Sequence, residues 1–266
     1  MIRLGANSVL FAGFDLETAM QQIAWAGYDG IELSAIKGMC EHLVLDDWRP
    51  QVAQIRELAA QHHLALLAME VASLEEDRLR RAFEAGAQIG IPVVNVGPGG
   101  KSDVEEDFQR QTDLLQHLAD LAHQHRLTLC CKAHVGGAIY NTPTTLRAMA
   151  KITSAGFGVD MDPSHVFRAN ENPVDALRAV VSRVRHVHIR DCVTRDRGPG
   201  APEVQACGRG HIDLFGYVGV LHEAGIDVAA DLEIIGAKDY SLGRVATIAA
   251  ESRGYLNACL KACGAR

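Results

Sequence analysis

The sequence predicts an α/β fold, a single (β/α)8 TIM barrel over residues 1–266, and three observations predict it. Eight short apolar runs that suit buried parallel strands recur along the chain, segments of helical spacing separate them, and no linker rich in proline or serine breaks the alternation. The 266 residues, 48% of them hydrophobic, are enough for one large core of ordinary barrel size.

The runs are IRLGAN from Ile2, YDGIEL from Tyr28, LALLAME from Leu64, IPVVNV from Ile91, LTLCCKA from Leu127, FGVDMD from Phe157, VRHVHIR from Val184 and DVAADLEI from Asp227. Between them, LETAMQQIAWAG, WRPQVAQIRELAAQHH, DFQRQTDLLQHLADLAHQHR and PVDALRAVVSRV carry apolar residues at helical spacing, several ending near a glycine or histidine that suits a C-cap. Ser102 and Glu105 in SDVE predict a capping box, with the acidic run Asp103 to Asp107 as a solvated first turn. GPGG at Gly97 to Gly100 reads as a turn. A doubly wound sheet is the alternative, but no GxGxxG follows the first strand and no GxxxxGK[ST] occurs, so the phosphate-cradling loops of that architecture are missing.

Composition narrows the function. A net charge of -7 with acids and bases interspersed gives no basic face for nucleic acid, so a small molecule is the expected partner. No export pattern leads the sequence and no apolar run approaches the roughly 18 residues of a membrane span, so the expectation is a cytoplasmic chain without membrane contact. Seven cysteines without a CxxC pair read as reduced thiols, and Cys259 with Cys263, four apart on a C-terminal helix, as one packed face.

In a barrel the chemistry sits at the C-terminal strand ends. Four consecutive runs end in side chains that core packing does not require: Lys132 and His134; Asp160, Asp162 and His165; His186, His188, Arg190 and Asp191; Asp231 and Glu233. A period of two puts Lys132 with His134, Asp160 with Asp162, His186 with His188 and Asp231 with Glu233 on common faces, so each pair is expected to aim into the barrel mouth. Carboxylates and imidazoles together suit Mn, Mg, Co or Zn. Glu32 and Glu70 end the second and third runs, and each either caps a turn or faces substrate.

DGIEL, KAH, GVDMDPSH, HVHIRD, GRGHID and DLEI, in this order and at these intervals, resemble the xylose isomerase-like barrel superfamily, the sugar phosphate isomerase and epimerase group. The resemblance spans nearly the whole chain, and DPSH followed by HVHxxD is its most specific part. It implies a divalent-metal site to which Asp162, His188 and Glu233 match three ligands, with His165 beside the metal in contact with substrate. The fourth ligand in such proteins is a glutamate on strand five, where this chain has Lys132.

Lys132 alters the expected charge balance. Three carboxylates and a divalent ion sum to -1, and Asp162, Glu233 and Lys132 also sum to -1 with no ion. Either the ammonium replaces the metal, or metal binds through Asp162, His188 and Glu233 with His134 or water completing the shell. The expected enzyme is a sugar or keto-sugar isomerase or epimerase that abstracts a proton next to a carbonyl, with Glu233 as base, Lys132 as electrophile, and Glu32, Glu70, His134, His186 and Arg190 binding substrate. A metal-free lyase, with His134 or His165 protonating the leaving oxygen, and an inactive sugar-binding barrel are the alternatives. An abasic-site endonuclease, also found in the superfamily, is disfavoured by the acidic net charge and the lost ligand. A Schiff base at Lys132 is disfavoured because surrounding carboxylates raise its pKa. Cys192 to Gly210 reads as a long loop over the mouth, where Arg195, Arg197 and Arg209 either meet an anionic substrate group or are solvated charges. Association into a homo-oligomer is an expectation from the resemblance alone.

Overall fold

A computed structural model describes residues 1–196 and 198–266. The eight apolar runs form eight strands: β1 (Ile2–Asn7), β2 (Gly30–Ile36), β3 (Ala65–Ala72), β4 (Val93–Val96), β5 (Thr128–Lys132), β6 (Phe157–Met161), β7 (Val184–Ile189) and β8 (Val228–Leu232). Neighbours pair in parallel, and β1 pairs with both β2 and β8, which closes the barrel. A two-residue antiparallel strand, Cys40–Glu41, hangs on the end of β2.

Helices cover the outside, among them α1 (Leu16–Trp25), α2 (Gln51–Gln61), α3 (Glu76–Ile89), α4 (Glu105–Gln124), α5 (Thr142–Lys151), α6 (Pro163–Arg168), α7 (Pro173–Val180), α8 (Pro202–Gln205), α9 (Leu214–Glu223) and α10 (Leu242–Ala262). α10 buries an apolar stripe through Val245, Ile248, Ala249, Leu256, Cys259 and Leu260. Cys259 therefore packs inward, and Cys263 is the half-buried C-cap. All seven cysteines are free. Among the described residues no helix is long and apolar enough to cross a membrane.

The expected capping box at Ser102 and Glu105 does not form. Val104 is the N-cap of α4 without a side-chain bond, because Asp103 turns the chain through φ 61° and the Ser102 hydroxyl donates instead to the Gly137 carbonyl at 3.0 Å. A capping box does start α5, where Asn141 and Thr144 satisfy each other's backbone N–H groups.

The main apolar core lies between barrel and helices. Inside the barrel, Ala68, Val93 and Cys130 form a separate small apolar floor. Above that floor the inward side chains are polar: Asn7, Glu32, Asn95, Asp160, His186 and Asp231 are all without exposed surface. Gly5 makes room for this layer, since a Cβ there would collide with the Asp231 carboxylate.

Candidate active site

Strand alternation sends Lys132 into the barrel on the same side as Cys130. Its Nζ donates to Glu233 Oε1 at 3.0 Å and to Glu70 Oε1 at 3.1 Å, and stands 3.1 Å from His188 Nδ1. Glu70 belongs to β3, His188 to β7, and Glu233 follows the last residue of β8, so four strands converge on one ammonium. Burial works to lower the pKa of Lys132, but Glu233 and Glu70 outweigh it and hold the amine above its ordinary value, fully charged.

A second cation lies beside the first. Arg190, just past β7, donates from Nη2 to Asp162 Oδ2 at 2.7 Å, stands 3.2 Å from Glu233 Oε2, and donates from Nε to Ser164 Oγ at 2.8 Å. Asp162 is also the N-cap of α6, accepting the Ser164 N–H at 2.8 Å. Burial raises the carboxyls of Asp162 and Glu233, yet Arg190 and Lys132 with the neighbouring histidines together outweigh it and hold both well below the usual carboxylate range. Glu70 behaves differently. Burial and the neighbouring Glu233 charge push it up to about 7 against the opposing pull of Lys132, while Asn7 Nδ2 donates to its Oε2 at 2.7 Å.

His165 on α6 accepts the Val135 N–H at Nδ1, 3.3 Å away, and Arg190 Nη2 stands 3.2 Å from its Nε2. Burial drives its pKa well below the ordinary histidine value, so the ring is neutral. His134 lies against it with ring centroids 4.1 Å apart, its pKa lowered by burial and by Lys132. These groups form the polar side of a cavity of about 290 Å³, lined by Glu70, Lys132, His134, His165, Arg168, Arg190 and Glu233, and faced by Ile36, Met39, Pro199 and Ile235.

Beneath the cavity the paired charges continue. His188 sets Nε2 2.6 Å from Glu32 Oε2 and Nδ1 2.6 Å from Asp160 Oδ2, and His186 sets Nδ1 3.1 Å from Asp160 Oδ1 and Nε2 2.7 Å from Asp231 Oδ2. Burial disfavours charge on both rings, but Asp160 and Glu32 outweigh it: His188 is held well above the ordinary value and His186 is pushed up to about 10. Each nitrogen of the two rings stands within 3.1 Å of a carboxylate oxygen. Asn7 and Asn95 donate to Glu32 at 2.8 and 2.6 Å.

The structure thus gathers Lys132, Glu70, His134, His165, Arg190 and Glu233 about one cavity. Glu32 and His186, expected to face substrate, do not line it; they are sealed in the layer below, where they neutralise partners. Arg195 donates to the Phe167 carbonyl at 2.6 Å and Arg209 makes two bonds to Glu251, so both are used structurally, and Arg197 lies outside the described residues. Sequence reasoning passed over Arg168 and Asn7. The signal for Arg168 was its place three residues after His165 on α6; Asn7 offered none beyond the N-cap role it also fills, accepting the Val9 N–H.

Two groups of three ligand-type side chains come within 4.8 Å among the described residues, Glu32 with His186 and His188, and Glu70 with His188 and Glu233. Asp162, expected to join His188 and Glu233 as a ligand, is in neither, because Arg190 holds it. Neither group is open to a divalent ion: the Lys132 ammonium stands among the second, and in the first His188 Nε2 lies 2.6 Å from Glu32 Oε2 and His186 Nε2 lies 2.7 Å from Asp231 Oδ2.

Comparison with known proteins finds a family model, the xylose isomerase-like TIM barrel, matching residues 20–259. An inosose dehydratase of Bacillus thuringiensis (strain Al Hakam) is 29% identical over 87 residues, a match covering 33% of this chain and 29% of that protein. The match therefore spans under a third of the length of such curated relatives. Among solved structures, the probable 3-DHS dehydratase AsbF of Bacillus anthracis superposes with a TM-score of 0.77 at 14% identity, covering 96% of this chain and 98% of that one. A D-psicose 3-epimerase gives 0.78 at 15% identity with 98% and 99% covered, and an IOLI protein with a zinc atom gives 0.78 at 18% identity with 97% and 98% covered. At these identities the structural likeness is one of fold.

Proposed function

The chain belongs to the xylose isomerase-like TIM barrel family, and from that premise we propose that it is an enzyme acting on a keto sugar or related polyol, isomerising or epimerising it by proton transfer at the carbon next to the carbonyl. One observation carries the reading: two carboxylates of opposite character, Glu233 and Glu70, face one cavity across a shared ammonium. Environments that push two carboxyls apart in pKa mark an acid and a base. Glu233, ionised, takes the proton from carbon. Glu70, protonated up to about pH 7, returns one from its own side of the cavity. Lys132 and Arg190 meet the enediolate oxygen, where fixed charge in a dry site stabilises the transition state most. Ile36, Met39, Pro199 and Ile235 offer an apolar wall to the C–H face of a sugar ring.

A second reading, loss of water from the same enolate, is favoured by the sequence match to inosose dehydratases. In it, the carboxylic acid of Glu70, protonated up to about pH 7, gives its proton to the departing hydroxyl, which leaves as water, instead of to carbon.

Proton NMR in D2O tests both. The chelator-treated protein is incubated with a panel of ketopentoses, ketohexoses and inososes, and deuterium at the carbon next to the carbonyl is followed together with product mass. Exchange with conserved mass supports isomerisation or epimerisation, and exchange with loss of water supports the lyase. No exchange and no product across the panel overturns both and leaves a sugar-binding barrel.

A further inference from the structure

We propose that Lys132 and Arg190 together are this barrel's built-in divalent cation, so that the site is closed to metal and its chemistry runs on two tethered positive charges. The reading rests on the reaction proposed above only for its catalytic half; the closure to metal stands on the geometry.

Glu70, His188 and Glu233 place ligand-type atoms within 4.8 Å of one another, close enough for one ion to reach all three. The atom that reaches all three is Lys132 Nζ, at 3.1, 3.1 and 3.0 Å. Those separations are hydrogen-bond lengths, about 1 Å longer than metal–oxygen bonds to Mg, Mn or Zn, so the cage is built to the size of an ammonium. Arg190 then covers the remaining donors, with Asp162 Oδ2 at 2.7 Å and Glu233 Oε2 at 3.2 Å. Each oxygen of Glu233 consequently faces a different protein cation.

The charge is matched as well. One ammonium and one guanidinium carry the charge of one divalent ion, and both are held by partners that are themselves buried. An added ion would meet two like charges at short range, and His188 Nε2 already stands 2.6 Å from Glu32 Oε2. Both cations line the cavity, so a ketone oxygen bound there would lie within reach of their charge.

The experiment is calorimetric titration of the chelator-treated protein with MnCl2, CoCl2 and ZnCl2, each alone, on wild type and Lys132→Glu, with melting temperature recorded with and without each metal. The expected result is no saturable binding and no metal-dependent shift in wild type, and about one equivalent bound with a raised melting temperature in Lys132→Glu. Because Lys132→Glu adds a carboxylate to a buried acidic site and risks misfolding, Lys132→Met is run beside it and is expected to gain metal-dependent stabilisation. Saturable binding of one equivalent by wild type, abolished by Glu233→Gln, overturns the proposal. So does failure of both folded Lys132 variants to bind any of the metals. A wild type that binds no metal and also exchanges no substrate proton leaves the closed site standing while the reaction assigned to it falls.

Discussion

Lys132 and Glu233 pair at 3.0 Å inside the barrel, although the two side chains are only 5% and 6% exposed. Such a pair repays its desolvation only if the remaining donors and acceptors are also satisfied. Here they are met in part: Glu70 accepts a second proton of the ammonium, while the second oxygen of Glu233 stands 3.2 Å from Arg190 Nη2 as an ion pair without a hydrogen bond.

Removing the ammonium while keeping its stem is therefore expected to be costly. Lys132→Met leaves Glu70 and Glu233 facing each other without the shared cation, and should lower stability by about 3–5 kcal/mol at pH 7 in urea unfolding. Lys132 pulls down a Glu70 pKa that stands at about 7, so without it Glu70 is protonated at pH 7 and the loss should grow as pH is raised further. A loss below 1 kcal/mol that does not vary with pH would sink the idea that the cage is held by charge.

Glu70 gives a second expectation, with a definite sign. Burial and Glu233 raise its folded pKa to about 7, above the ordinary carboxylate value. Its contribution to stability is complete below that ordinary value, near 4.3, and is lost as pH rises through about 7. If the protonated form supplies the proton to carbon, kcat/KM should also fall as pH rises through about 7. Glu70→Gln, which cannot titrate, should lose that limb along with most turnover. The pH–rate profiles of the two proteins decide it, and an unchanged limb in Glu70→Gln would assign the titration elsewhere.

How far the sequence carried differs between scaffold and site. Strands buried on both faces read as continuous apolar runs, so IPVVNV and FGVDMD declared themselves, and period-two parity placed Lys132 inward beside Cys130. Parity could not say at what depth a side chain would lie. His186 and His188 share a face of β7, yet His186 is locked beneath the site between Asp160 and Asp231, and only His188 reaches Lys132. Nor could it say which carboxylate pairs with which cation. Glu70 meets Lys132 across 62 residues of sequence, a contact that exists only once the barrel closes. The SDVE misreading has a local cause: the composition suits a capping box, but positive φ at Asp103 turns the serine away.

Arg190 should prove irreplaceable by lysine. Its fork spans Asp162, Glu233 and Ser164 at once, and an ammonium on a flexible stem cannot hold three separated acceptors. Arg190→Lys is expected to cost about 1–3 kcal/mol through the unsatisfied Asp162 and Ser164. It should cost about 100-fold in kcat/KM, the equivalent of about 2.7 kcal/mol of lost charge stabilisation. Activity within threefold of wild type would show that charge alone suffices at this position.

The buried layer under the site makes the last prediction, one of stability rather than turnover. His186 stands between Asp160 Oδ1 at 3.1 Å and Asp231 Oδ2 at 2.7 Å; burial disfavours its charge, but the charges of Asp160 and Glu32 and the hydrogen bonds to Asp160 and Asp231 push its folded pKa up to about 10. An unfolded histidine titrates near 6.5. The stabilisation from its charge is therefore complete below about 6.5 and drains away as pH rises through about 10. Urea midpoints of wild type should fall steadily between pH 7 and pH 10. His186→Gln should start lower at pH 7, by about 3–5 kcal/mol, because two buried carboxylates lose their shared cation. It should then show a much shallower fall over the same range. Parallel pH slopes in the two proteins would mean that His186 is neutral in the fold and that the layer is held by hydrogen bonds without charge.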